Sequence, residues 1–261
     1  MKYAALALLV CTPLAGTGFD HSIWDRILKK HVNAIGEVDY AAIKKDRADV
    51  DAYVLALGES SPDSRKELFP SRNHELAYWI NAYNALVTKG VVDAYPTRSV
   101  RDLGFAYGFF RRKDYTLGGQ KISLLALEND IIRKRYQDAR IHFAIVCASI
   151  SCPRLSPDAF AGDQLDQHLD AATRMALAER RILAVKPEAN EVVLSALFDW
   201  YKEDYGPVLD FLKKYATVKD REALERIKKP KLKYYDYDWS INDPGSRRRA
   251  KSLVERELAG K

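Results

Sequence analysis

The chain has 261 residues, 47% hydrophobic and 30% charged, with a formal net charge of +6. That balance is globular and long enough for a sizeable core, which excludes a disordered chain and a small disulfide scaffold. Basic residues are interleaved with 36 acidic ones, and no helix-turn-helix, zinc finger or aromatic-basic motif accompanies the short runs at Arg111-Arg112-Lys113, Lys228-Lys229-Pro230-Lys231 and Arg247-Arg248-Arg249, so no specific nucleic-acid partner is expected.

Lys2, the apolar run Ala4 to Val10, and the small residues up to Thr17 predict a signal peptide over residues 1–17, hence a periplasmic or secreted protein. A lipid anchor on Cys11 is the alternative, but Leu8, Leu9 and Val10 precede it where small residues are needed. The apolar run is far shorter than the ~20 residues a membrane span requires. The basic runs then fit solvated faces or peripheral contact with an anionic envelope surface.

Residues 18–243 read as a single domain. Helical spacing runs from Ser22 to Val32 and again from Asp39 to Leu57. Glu75 to Val92 is apolar nearly all round, which predicts an interior helix. Gly118-Gly119 between strand-formers predicts a hairpin, and Ser123 a cap on the next helix, whose inner stripe is Leu124, Leu127, Ile131 and Ile132. Ile141 to Val146 reads as a buried strand, and Phe160 to Leu177 as a helix starting near Ser156 or Pro157. A second hairpin over Arg181–Leu194, three short helices up to Ile227 and a terminal strand over Lys231–Ile241 complete an α+β, helix-rich domain with a small, mostly antiparallel sheet. Residues 244–261 form a basic tail.

Two stretches carry chemistry. Arg140 to Pro153 sets His142 in an apolar run with Cys147 and Cys152 at its exit, the only thiols left after the signal is removed. Histidine is suited to act as base and a neighbouring thiol as nucleophile. On an ideal strand His142 and Cys147 face opposite ways, so pairing them needs a bend; Cys152 sits in a loop, and a plain Cys147–Cys152 disulfide is the structural alternative. In the helix from Glu75 to Val92, residues Asn81, Asn84 and Thr88 form one polar seam on an apolar surface, positioned either to orient a histidine or substrate or to satisfy buried backbone. Glu75, at the helix start, is an acid favoured there by the helix dipole.

The segments Trp79-Ile80-Asn81-Ala82-Tyr83-Asn84-Ala85, Arg140-Ile141-His142-Phe143-Ala144 with Cys147 and Ser151-Cys152-Pro153, and Tyr235-Asp236-Tyr237-Asp238-Trp239-Ser240 resemble the domain-of-unknown-function family numbered 547, over about Val38 to Asn242. The resemblance implies similarity to papain-like or transglutaminase-like thiol hydrolases, with Glu75, His142 and Cys147 as the catalytic constellation. Serine in plant members at the position of Cys152 favours Cys147 as nucleophile. The cysteine follows the histidine, the reverse of the papain order. The reading is an exported cysteine-dependent hydrolase or amidase acting on an amide or thioester, such as a glutathione-like small peptide, with Asn81, Asn84, Ser151 and Cys152 around the substrate and no metal or organic cofactor. A periplasmic ligand-binding or scaffold module, and a thiol redox protein, are the competing classes.

Overall fold

The computed structural model describes residues 18–104 and 107–246. The signal-peptide reading of residues 1–17 and most of the basic tail lie outside the described residues.

Helix α1 (Ser22–His31) turns Trp24, Ile27 and Leu28 inward. The predicted helix from Asp39 to Leu57 is two helices, α2 (Tyr40–Lys45) and α3 (Ala48–Glu59), because the backbone leaves helical geometry at Asp46. Arg47 there pairs with Asp51 and Asp93. Helix α4 (Arg72–Ala94) starts where the Ser71 hydroxyl accepts the His74 N–H, and is buried along nearly its whole length, as its composition predicts. At Gly90 a Cβ would collide with the Phe109 ring and the Tyr115 hydroxyl, so glycine is what lets the next elements close on α4. These are α5 (Gly108–Arg111) and strand β1 (Asp114–Leu117), which pairs antiparallel with β2 (Gln120–Ser123) around the predicted Gly118-Gly119 turn. Ser123 caps α6 (Leu124–Ala126), accepting from the Ala126 N–H at 3.2 Å. The helix then widens into a π-helical stretch over Leu127–Arg133 and closes with α7 (Lys134–Tyr136).

The predicted strand over Ile141–Val146 does not form. Ala139–Phe143 is a tight 3-10 turn, begun where the Asp138 carboxylate accepts the Arg140 N–H at 3.0 Å, and an irregular loop comes after it. Helix α8 (Leu165–Leu177) begins later than Ser156 or Pro157, because the main chain of Phe160 is held by the Asn81 side chain in a non-helical conformation. Strands β3 (Leu183–Lys186) and β4 (Glu191–Leu194) form the second predicted hairpin, with β5 (Lys231–Tyr234) parallel to β4. Between them lie α9 (Leu197–Trp200), α10 (Val208–Tyr215) and α11 (Val218–Arg226). The terminal strand stops at Tyr234 rather than Ile241. Beyond it the chain latches across the site by main-chain bonds from Ile150 N–H to Ser240, Ser151 N–H to Asp238 and Asn242 N–H to Ala148.

The result is an α+β fold with two cores, one around α4 and one around the β3–β4 hairpin with α8 to α11. The 3-10 turn joins them: Ile141 packs in the first and Phe143 in the second, leaving His142 at their junction. Among the described residues no helix is long and apolar enough to cross a membrane.

Candidate active site

Two side-chain arrangements fix the 3-10 turn and the loop after it. Arg140 binds Asp138, Asp166 and Asp170, tying the turn to α8. Asn84, buried on α4, donates to the Ala144 carbonyl at 2.9 Å and accepts the Val146 N–H at 2.8 Å, so a side chain supplies the partners a neighbouring strand would have given. Ala148 is then held at φ +62, a conformation unfavourable for a residue with a Cβ, directly after Cys147.

His142 donates from Nε2 to Asp204 Oδ2 at 2.7 Å, and its ring stacks on Tyr201 with centroids 4.1 Å apart. Asp204 also receives a bidentate pair from Arg133 at 2.7 and 3.0 Å, and Arg133 is braced by Asn129 at 2.6 Å. The His142 hydrogen bond, and then Arg133, hold the Asp204 carboxyl well below the usual carboxylate range. With Nε2 committed, Nδ1 is the nitrogen left to accept a proton when the ring is neutral.

The sulfurs lie under the latching segment. Cys147 Sγ is 3.1 Å from the Ser149 hydroxyl and 3.3 Å from that of Tyr237, and the Cys147 N–H donates to Cys152 Sγ at 3.0 Å. Tyr237 also donates to Cys152 Sγ at 3.2 Å. Both cysteines are free thiols. Burial, with the neighbouring Cys152 sulfur accepting its proton, pushes the Cys147 thiol well above its ordinary value. Burial works against a thiolate on Cys152 as well, yet the donors from Cys147 and Tyr237 outweigh it and bring Cys152 down to about 6. The two thiols are therefore unequal, Cys152 giving up its proton more readily than Cys147. Tyr237 stays a phenol: burial and the two sulfurs push it well above its usual range.

His142, Cys147 and Cys152 all line one cavity of about 310 Å³, walled by Tyr83, Trp200, Tyr201, Tyr237 and Trp239. Glu128, from the π-helical stretch, lines it too and accepts the Tyr83 hydroxyl at 3.1 Å. π-helical turns are often found at functional sites.

Several residues expected at the site stand elsewhere. Glu75 accepts the Tyr136 hydroxyl at 3.2 Å, and the carboxylate on the His142 ring is Asp204. Asn81 and Asn84 spend their amides on the Phe160, Ala144 and Val146 backbone and do not line the cavity, so they brace loops rather than bind substrate. The Ser151 hydroxyl accepts the Asp238 N–H at 2.8 Å. Cys152 alone of the four expected substrate contacts faces the cavity. The amides of Cys147, Ile150, Ser151 and Cys152 are already bonded within the protein, and the hydroxyls of Tyr237 and Ser149 lie beside the Cys147 sulfur. Sequence reasoning missed Glu128, Asp204, Tyr201 and Tyr237. Glu128 had a signal, since it lies four residues from both Leu124 and Ile132 and so falls on the apolar stripe. Asp204 had none, being 62 residues from the histidine it holds.

Among the described residues no group of three or more His, Cys, Asp or Glu is placed to hold a metal ion. Residues 68–175 match the model of a family described as "Protein of unknown function, DUF547". That span includes Glu128, His142 and both thiols, while Trp200, Tyr201, Asp204, Tyr237 and Trp239 lie beyond it. No curated protein and no solved structure matches the chain.

Proposed function

We propose cysteine-dependent acyl transfer for this chain, whose residues 68–175 match DUF547, a family described only as of unknown function. The observation that carries the reading is that His142, held by Asp204, and Cys147 line the same cavity. Cys147 Sγ passes its proton to His142 Nδ1 and attacks the carbonyl carbon of an amide or thioester, and the tetrahedral oxygen takes a hydrogen bond from the Tyr237 or Ser149 hydroxyl. The C–N or C–S bond then breaks, the leaving group taking the proton held by His142. Water, deprotonated by His142, attacks the acyl-enzyme and releases the acid and the free Cys147 thiol. Asp204 keeps the ring in one tautomer throughout.

The test uses S-phenyl thioacetate and follows thiophenol release over many turnovers, with mass spectrometry for an acetyl group on Cys147. Turnover is expected to fall by about 10²–10⁴ in His142→Ala and also to drop in Asp204→Asn. Cys147→Ser turning over as fast as the wild type would rule the reading out, and absence of any turnover would favour a ligand-binding module.

A second reading, dithiol redox exchange, is favoured by the hydrogen bond from the Cys147 N–H to Cys152 Sγ and the lowered titration of Cys152. Here the two thiols lose two electrons and two protons to a substrate disulfide, which becomes two thiols. Equilibration with glutathione buffers decides: a potential between about −120 and −270 mV supports exchange, and one below about −300 mV marks a structural bridge.

A further inference from the structure

Glu128 has no role in the acyl-transfer steps, yet it is 7% exposed and lines the cavity. Its hydrogen-bonding neighbours are phenols: Tyr83 donates to it, and its charge, after burial, helps push the Tyr201 phenol up. A carboxylate offers about four lone-pair positions, so two phenols leave room for another donor. Among the described residues no Lys or Arg forms an ion pair with it. Arg133 is near enough to feel the charge, but its guanidinium is spent on Asp204 and Asn129. A buried carboxylate without a cation is costly, and a ligand cation offsets that cost.

The walls point the same way. Trp200, Tyr237 and Trp239 form one aromatic cluster, with ring centroids 4.7 Å apart for Trp200–Tyr237, 4.6 Å for Tyr237–Trp239 and 5.6 Å for Trp200–Trp239. Aromatic faces attract an ammonium group, and these share one cavity with buried Glu128. Arg111 also lines the cavity and opposes a cation. It is exposed, though, so its field is screened over about 8–10 Å, whereas that of buried Glu128 is screened much less.

We propose that the cavity selects ligands bearing an ammonium group, which is held by Glu128 against the aromatic wall. This deepens the acyl-transfer reading: that the ligand is a substrate, an amine-bearing amide or thioester, rests on that reading, whereas the charge preference does not.

The test compares three methanethiosulfonates at the Cys147–Cys152 pair, with peptide mass spectrometry locating the modified sulfur: the trimethylammonioethyl, sulfonatoethyl and methyl reagents, each normalised to its rate with 2-mercaptoethanol. In each case the sulfur forms a mixed disulfide and expels methanesulfinate. The cationic reagent is expected to outpace the anionic one by about tenfold or more, and Glu128→Gln to bring the two together. Tetramethylammonium is expected to protect the Cys147–Cys152 pair from iodoacetamide in the unsubstituted protein, and less so in Trp200→Ala; these measurements decide the matter even if Glu128→Gln fails to fold. Equal or faster labelling by the anionic reagent, with no protection by tetramethylammonium, overturns the proposal. Charge preference without thioester turnover would sink the acyl-transfer reading alone, and turnover without charge preference would sink this one alone.

Discussion

Cys147 and Cys152 share a single set of donors, and that sharing makes them chemically unequal. The Cys147 N–H and the Tyr237 hydroxyl both point at Cys152 Sγ and bring it down to about 6 against burial, while burial pushes Cys147 up. A hydrogen bond to a charged group is worth about 1.5–3 kcal/mol, so Tyr237→Phe should raise the lower titration by about one unit or more. Thiolate ultraviolet absorbance against pH reads this directly, and an unshifted curve in Tyr237→Phe would show that Tyr237 does not hold the thiolate. His142 and both thiols stood out in the sequence because an imidazole in an apolar run and two nearby sulfurs are rare and local. Their partners did not: Asp204 and Tyr237 reach the site through a loop and a latching segment whose paths no periodicity encodes.

Helix α4 does its work through two amides on one face. Asn84 clamps the loop between His142 and Cys147, while Asn81 clamps Phe160 in the same way, donating at 2.8 Å and accepting at 3.0 Å. Replacing either by leucine leaves a buried N–H and a buried carbonyl unmet, a loss of about 2–4 kcal/mol that urea denaturation should show for both. Only Asn84→Leu should also disturb the titration of the thiol pair; an equal disturbance from Asn81→Leu would mean that the effect is general loosening. The same clamps explain where the sequence misled. A six-residue apolar run satisfies either a strand or a turn, and Asn84 supplies from another helix the partners that decide for a turn. Helix α8 starts late for a similar reason, with Asn81 holding Phe160. Elements governed by local signals were legible: α4 by its composition, the first hairpin by Gly118-Gly119, and α6 by Ser123.

Across the whole molecule, the site depends on α4 being anchored, and an aromatic group at the start of the described chain does part of that anchoring. His21 Nδ1 lies 2.6 Å from the Tyr53 hydroxyl on α3, and Phe19 packs against Tyr53, Phe69 and Tyr78, the last of these on α4. Burial pushes His21 down to about 4. In the unfolded chain a histidine takes up its proton near 6.5, so between about 6.5 and 4 the unfolded state binds more protons than the folded one. Stability therefore rises with pH across that window and is lost on acidification from neutrality, with no further loss from this group below about 4. The size over the whole window is about 3 kcal/mol. His31, lowered by burial, acts in the same direction, whereas Asp204, held below its ordinary value, contributes only once the pH falls below that value near 3.8. Denaturation of the unsubstituted protein and of His21→Gln at pH 7 and pH 4.5 isolates the effect. Glutamine keeps an acceptor for the Tyr53 hydroxyl but cannot titrate, so the stability lost between the two pH values should shrink by about 2 kcal/mol in the variant. Equal losses in both proteins would show that the acid sensitivity arises elsewhere and that His21 is protonated as readily in the folded chain as in the unfolded one.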